Sequence, residues 1–284
     1  MSVVARVRNI WRYPVKSMMG EELSKCRVDE WGIPGDRGWA LRDSVQVRGA
    51  KKFPVLMQCR ARYRSEPDQG LMPPVEFELP DGARAASDDR DIDARLSDLV
   101  GKEVKLYPRL PAEEHEHYRR NEKLDAAAAR EMFGRTPDEP LPDLSTIPRD
   151  ILDEITEFTS PLGTYFDAFP VHLLTTSWLD ALRVENPKAR FEAPRFRPNF
   201  FLEGAGAGFA EEAWCGKRIR IGSVELLCET PTVRCSMTTQ ATEDLPKDPK
   251  VLRTIVQASG QNVGAYARVV KAGTLRVGDP VELL

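Results

Sequence analysis

From its N-terminus the chain alternates. Val3, Ala5 and Val7 fall on one side of an extended backbone and Arg6 and Arg8 on the other, which predicts a half-buried strand over 2–13. Pro14 interrupts that pattern, and Lys16-Ser17 follow in a turn. The stretch CRVDEWGIPGDRGWALRD carries Gly32, Pro34, Gly35 and Gly38, so a tight turn is expected to lead into a strand at about 38–42. A strand over 75–79 with a turn at Pro80-Asp81-Gly82 predicts a hairpin. A short helix over 91–99 and a strand over 103–107 follow.

The middle of the chain has a different texture. Residues 112–134 are charged and helix-prone, and RTPDEPLPDLSTIPRD at 135–150 holds four prolines. This reads as a linker or mobile flap between two lobes, or as a plain surface excursion. A second lobe begins near Phe166 with the strand VHLLTT, and Thr175 or Thr176 can cap a helix over about 178–184. In RFRPNFFLE an extended chain would put Arg195, Arg197 and Asn199 on one face, and Phe196, Phe200 and Leu202 on the other. KRIRIGSVELLC reads as a hairpin turning at Gly222-Ser223, with Val224, Leu226 and Cys228 on a common side. The chain closes with strands joined by glycine turns. Short strands, frequent turns and few long helices predict a β-rich, barrel-like architecture.

Bulk properties narrow the function. The 284 residues suffice for one large domain or two ordinary ones. A net charge of −3 gives no global attraction to nucleic acid or an anionic membrane, so any anion site must be a local basic pocket. No apolar run has the length of a membrane span, and the alternating N-terminus lacks a secretory core, which points to the cytoplasm. The five cysteines are odd in number and form no C-x-x-C pair, against a disulfide framework, a zinc knuckle or a ferredoxin-type cluster. His115 and His117 stand two apart on a predicted helix and face different ways, and with His172 they read as ordinary residues.

Cys235 is the first candidate for chemistry. It lies after a proline-broken strand end, beside Arg234, with Ser236, Thr238 and Thr239 following. A neighbouring cation and local donors favour the thiolate, the form that attacks or binds metal, although a buried structural cysteine is as good a reading of spacing alone. Lys16-Ser17, Arg37, Arg195, Arg197 and Arg234 form a second group, each at a turn or strand end. Arg37 lies between glycines, where backbone can approach a ligand. One at a time these are solvated surface charges. Two guanidiniums on the Arg195/Arg197/Asn199 face, however, would repel unless an anion or carboxylates sat between them. The chain has no G-x-x-x-x-G-K-[ST] loop, no G-x-G-x-x-G opening a helix and no G-x-S-x-G elbow. Only His172 could partner Cys235 in a hydrolytic dyad. A thiolate with an anion-binding cluster fits a phosphorylated cofactor carrying a soft or high-valent metal better.

These pieces resemble the MOSC-domain family, related to the C-terminal domain of molybdenum cofactor sulfurase, and within it the branch of the mitochondrial amidoxime-reducing component. The matching stretches, in family order, are YPVKS (13–17), GDRGWAL (35–41), FPVHLLT (169–175), RFRPNFFLEG (195–204), W-x-G-x-x-x-x-I-G (214–222), TVRCSMTT (232–239) and GTLRVGDPVELL (273–284). Residues 43–168 carry little of it. The resemblance implies an α+β, mainly β fold: an N-terminal β-rich MOSC-type domain over 1–110, a helical and proline-rich linker or flap over 111–165, and a C-terminal MOSC β-barrel with peripheral helices over 166–284. It implies a molybdenum cofactor, a pterin dithiolene bearing a phosphate, with Cys235 as the protein ligand to the metal. Lys16, Ser17, Arg37, Thr175, Arg197, Asn199 and Arg234 are the implied cofactor-binding residues. Where close relatives often carry serine two residues before the cysteine, this chain has Val233, which removes a side-chain hydroxyl and leaves the backbone contact.

The implied activity is reduction of N-hydroxylated compounds. The sequence shows no C-terminal iron–sulfur cysteine cluster, so electrons are expected from a separate ferredoxin- or cytochrome-type donor protein and its reductase, with a small-molecule substrate, no nucleic acid and no membrane span. Two other readings stand beside it: a molybdenum-cofactor carrier or sulfur-transfer protein bearing a persulfide on Cys235, and a β-rich domain that binds a phosphorylated small molecule without metal.

Overall fold

A computed structural model describes residues 2–68, 72–123, 125–204 and 206–284. Among them the chain forms β1 (Ser2–Arg12), β2 (Glu21–Leu23), β3 (Lys25–Val28), β4 (Trp39–Arg42), β5 (Val47–Arg48), β6 (Arg60–Tyr63), β7 (Val75–Glu78), β8 (Arg84–Ala86), α1 (Ile92–Val100), β9 (Lys105–Pro108), α2 (His115–Tyr118) and α3 (Ala126–Phe133). It continues through α4 (Arg149–Glu157), β10 (Val171–Thr175), α5 (Thr176–Glu185), β11 (Phe200–Gly204), β12 (Arg218–Ile221), β13 (Val224–Val233), α6 (Pro249–Ala258), β14 (Asn262–Lys271), β15 (Gly273–Arg276) and β16 (Pro280–Leu283). The protein is mainly β, as its short strands and frequent turns predict. No helix among the described residues is long and apolar enough to cross a membrane.

Seven strands close into a barrel in the order β11-β10-β14-β13-β12-β16-β1, with β1 returning to β11 and β2 added beyond β1. All these pairs are antiparallel except β10–β11. Closure removes the free edges that an open sheet would expose. The interior is filled by inward residues such as Val7, Ile10, Leu173, Leu202, Ile219, Leu226 and Val281. The alternation at the N-terminus runs through Ala5 and Val7 and then changes phase. A register shift between Val7 and Asn9 adds a residue to one strand, so Ile10 points inward where strict alternation would turn it out.

The other strands make two three-stranded sheets, β5-β4-β9 and β6-β7-β8, and the ribbon β15-β3. A second core, built on Val15, Leu41, Leu56, Phe77 and Leu96, holds the two sheets and α1 together. α5 and α6 cover the outside of the barrel through Trp178, Leu179, Leu182, Val251 and Ile255.

Three expectations need correction. The charged stretch 112–134 is not one helix: α2 and α3 are separate, the second starting where the Asp125 carboxylate accepts from the Ala128 amide at 2.8 Å. The proline-rich stretch does end in a helix, α4, which begins right after Pro148. And RFRPN is not extended. Ala193–Phe196 forms a 3-10 turn and Arg197 takes the left-handed conformation, φ 54°, so Arg195 and Arg197 do not share a strand face.

One buried acid sets a stability prediction. Glu211, wholly buried beside the start of α5, accepts from the Thr175 amide, while its Oε2 has no partner among the described residues. Burial pushes its pKa from 4.5 up to about 7. Between those values the folded chain keeps a proton that the unfolded chain releases, so stability is full below pH 4.5 and falls as pH rises to about 7. At 1.36 kcal/mol per pKa unit the loss is about 3 kcal/mol. Glu211→Gln should remove that part of the slope. Urea unfolding of both proteins at intervals across the window measures it, and parallel pH profiles would refute it.

Candidate functional site

His172 on β10 and Tyr266 on β14 are cross-strand partners. Their neighbours Val171, Leu173 and Ala267 fill the barrel interior, so these two point outward. Over this stretch of outer wall lie the 35–38 turn, the 195–199 segment and the end of β13. The resulting cleft is lined by Arg37, His172, Arg197, Arg234, Cys235 and Tyr266 among others. A second hollow, lined by Lys16, Ser17 and Gly49, meets it at Asp167 and Met237.

The backbone around these hollows is unusual. Four non-glycine residues among those described have positive φ: Ser17 at 70°, Arg37 at 49°, Arg197 at 54° and Gln261 at 78°. Each such residue costs about 1–3 kcal/mol and persists only where its surroundings enforce it. Three of them carry side chains singled out from the sequence. The enforcing contacts are visible. The Arg37 amide donates to the Tyr13 carbonyl at 2.6 Å, and the Ser17 hydroxyl accepts from the Ala50 amide at 2.9 Å. A Cβ on Gly49 would come within 2.6 Å of Ser17 Oγ, so only glycine leaves room for that hydroxyl. Gln261 exchanges bonds with Arg234: the Arg234 amide donates to its carbonyl at 2.8 Å, and its Nε2 donates to the Arg234 carbonyl at 2.9 Å.

Charge is unevenly compensated. Asp36, its side chain fully buried, accepts from the Tyr13 amide at 2.8 Å, from Asn199 Nδ2 at 3.0 Å and from Arg37 Nη1. Burial opposes the Arg37 charge, but Asp36 outweighs it and raises the guanidinium pKa. Arg197 has no paired carboxylate among the described residues. Its guanidinium donates to the Met18 carbonyl and lies over the Tyr13 ring at 4.2 Å, with Arg37 over the same ring at 4.9 Å. Burial and then Arg37 push the Arg197 pKa down to about 10. Arg234 donates to the Phe196 carbonyl at 3.0 Å, and its buried Nε has no partner among the described residues. Lys16 reaches Asp167 at 3.0 Å and the Tyr165 carbonyl at 2.8 Å. The Asp167 side chain is 59% exposed, so water screens that pair.

Cys235 is half-buried at the start of the 3-10 turn Ser236–Thr239. The other cysteines do not line the cleft. Burial raises the thiols of Cys26 and Cys59 to about 12 and that of Cys228 beyond, while Cys215 sits with its thiol against the Glu211 carbonyl. His172 shares the cleft with Cys235, but its Nε2 lies 3.3 Å from the Val263 carbonyl, and burial followed by Arg234 lowers its pKa well below the usual value. With Nε2 turned to that carbonyl and its basicity lowered, the ring is a weak base for the thiol. No group of three or more His, Cys, Asp or Glu able to hold a metal ion occurs among the described residues. A metal beside Cys235 would need most of its donors from another molecule.

The structure thus gathers Arg37, Arg197, Arg234 and Cys235 in one cleft, with Lys16 and Ser17 next door. Asn199 is nearly inaccessible and serves as a clamp: its Oδ1 accepts from the His172 amide at 3.1 Å and its Nδ2 donates to Asp36. Thr175 stands apart, fully buried, its hydroxyl capping α5 and bonded to Ser177 at 2.7 Å. Arg195 touches the cleft, but its guanidinium is spent on the carbonyls of Arg190, Gln240 and Pro246. The glycines around Arg37 also serve differently than expected: a Cβ on Gly35 or Gly38 would collide with Tyr63, so they seat the turn against that ring. Sequence reasoning missed Asp36, Tyr13 and Gln261. Asp36 sits inside the quoted GDRG, where an acid beside Arg37 was a legible signal.

A model described as the MOSC domain matches residues 163–282, and one described as the MOSC N-terminal beta barrel domain matches residues 4–103. The chain is similar to the mitochondrial amidoxime-reducing component 1 of Mus musculus, 32% identical over 133 residues, which is 42% of this chain and 38% of that protein. It is also similar to the mitochondrial amidoxime reducing component 2 of Rattus norvegicus, 26% identical over 310 aligned positions that take in 98% of this chain and 83% of the rat protein. Among solved structures, the YUAD protein from Bacillus subtilis aligns over 99% of this chain and 95% of its own, with a TM-score of 0.44 and 13% identity.

Proposed function

We propose that this chain, which belongs to the MOSC-domain family, is a molybdenum-cofactor oxidoreductase that reduces N-hydroxylated compounds with electrons from a separate donor protein. The observation that carries this reading is the grouping of Arg197 and Arg234, without carboxylate partners among the described residues, beside Cys235 in one cleft. A buried guanidinium without an acid is costly, and a bound phosphate would relieve Arg197, and Arg234 with its buried unpartnered Nε, through charge-assisted hydrogen bonds.

The residues present fit such a cofactor. Cys235 offers one soft thiolate, the donor type that suits molybdenum, and the absence of a protein ligand cluster among the described residues matches a metal whose other sulfur donors arrive with the pterin. When bound, the group would supply two-electron redox chemistry at the metal. Arg37, Arg197, Arg234, Lys16 and Ser17 would hold its phosphate and pterin, while Asn199 and Asp36 keep Arg37 in place. Val233, Phe169 and Tyr266 give the adjoining wall an apolar part. Reduction of an N–OH group takes two electrons and two protons and releases water. The protein needs to orient that group and admit the protons, not to activate a hydrolytic nucleophile.

The test uses the full chain made in a host that synthesises the cofactor. Elemental analysis should find molybdenum near one per chain, and a chemically reduced viologen should drive conversion of an amidoxime to its amidine. Chain without molybdenum from such a host would sink the reading. Trapping of a persulfide on Cys235, with no turnover, would favour sulfur transfer in its place.

A further inference from the structure

We propose that the large cavity beside the cleft is a substrate chamber that selects N-hydroxylated compounds with an apolar body and an anionic group. This rests on the reductase reading above. The cavity is about 640 Å³, within the range of about 300–1,000 Å³ that small-molecule sites occupy. It shares Asp167, Val233 and Tyr266 with the Cys235 cleft, so the two spaces adjoin.

Its apolar wall comes from Met132, Phe133, Leu144, Ile147, Leu152 and Ile155. α4 contributes Leu152 and Ile155 to this wall. The helix carries Ile151, Leu152 and Ile155 on a face that would ordinarily pack on a core, yet none of its residues is buried. The six wall residues all lie in the segment between the two family matches, 4–103 and 163–282. The chamber is therefore built mostly by the part of the chain that the family models do not describe, where specificity can vary without disturbing the cleft.

The charge on the lining points to an anion. Its acids are already engaged: Glu157 pairs with Arg119 at 3.1 Å, and Asp167 with Lys16 at 3.0 Å. Arg120 is half-buried, and among the described residues its side chain donates only to the carbonyls of Ile155 at 2.9 Å and Phe158 at 3.0 Å. Lys51 and Lys123 line the cavity without a carboxylate partner among the described residues. Lys51 and Arg120 also line the hollow that holds Lys16 and Ser17, which places their charge at the junction of the two spaces. A carboxylate there gains charge-assisted hydrogen bonds, a neutral group gains little, and a cation is repelled.

Calorimetric binding of octanoate and octanol to the full chain, as purified from a host that synthesises the cofactor, tests this without any turnover. Octanoate should bind at least about tenfold tighter than octanol, the size of one charge-assisted hydrogen bond. Arg120→Met should weaken octanoate about tenfold, and Lys51→Glu about threefold because that side chain is exposed and screened, with octanol unaffected by either. Among the described residues Lys51 makes no side-chain hydrogen bond or ion pair, although its charge acts on Asp167, so its variant remains informative if Arg120→Met unfolds. Leu152→Glu should weaken both probes. Equal affinity for the two probes, or no response to Lys51→Glu, would overturn the chamber's anion preference whether or not the enzyme reduces N–OH groups. Failure of the reductase reading looks different: missing molybdenum or missing turnover with octanoate binding intact.

Discussion

Cys235→Ser is expected to leave the chain folded and without molybdenum, and to lower N–OH reduction by more than about 100-fold, beyond the range that loss of an outer-shell partner costs. The fold should tolerate the change. Cys235 is half-buried and contributes to none of the hydrophobic clusters, and its carbonyl, which accepts from the Thr238 hydroxyl at 3.0 Å, is retained. The metal should not tolerate it. The described residues offer no alternative donor cluster, and a serine hydroxyl is a hard donor with a far higher pKa than a thiol.

Two measurements separate the outcomes. Elemental analysis of variant beside wild type reads the metal, and circular dichroism with thermal unfolding reads the fold. Metal lost with the fold kept makes Cys235 the ligand. Metal kept in Cys235→Ser, at wild-type level, would show that the thiol is not the ligand and would remove the chemical basis for placing the metal in this cleft.

How much of this was legible beforehand depends on what kind of interaction made each feature. Strands with a wet and a dry side, such as β12 and β13, write their alternation into the sequence, and Val224, Leu226 and Cys228 are all fully buried as that pattern requires. The phase change in β1 was not legible, because a bulge is decided by pairing with β11 and not by local residue type. α4 was hidden by the proline-rich stretch before it, although proline at a helix start is favourable. α6 also went unread. Its Asp248 cap and Pro249 at the first turn are an N-terminal signature, but its apolar stripe lies between two strands and blends with them.

The site was legible as residue types and illegible as geometry. Arg37, Arg197, Arg234, Lys16 and Ser17 are separated by up to some two hundred positions, and only closure of the barrel with β1 brings them together. The left-handed backbones of Ser17, Arg37 and Arg197 cannot be inferred from arginine and serine, which avoid that region. Arg195 misled because its identity matches Arg197, while its buried guanidinium satisfies backbone carbonyls. Such a carbonyl-bound arginine looks the same in sequence as one awaiting a phosphate.

Asp36→Ala should be the most damaging single change to stability, at about 3–5 kcal/mol, the cost of leaving one partner of a buried ion pair behind. The carboxylate does three things at once. It neutralises Arg37, accepts the Tyr13 amide at 2.8 Å, and accepts from Asn199 Nδ2 at 3.0 Å. Removing it leaves Arg37 and Arg197 beside the Tyr13 ring with no carboxylate paired to either among the described residues, and orphans a buried backbone donor. Asp36→Asn keeps an acceptor for the Tyr13 amide and should lose less, which separates the hydrogen bonds from the charge. The same logic predicts a rescue. Phosphate supplies the negative charge that the variant lacks, so added phosphate should raise the midpoint of urea unfolding more for Asp36→Ala than for wild type. A loss below about 1 kcal/mol would put the pair in the range of solvated surface contacts. It would then follow that water already reaches these guanidiniums, and that their lack of acid partners does not call for a bound anion.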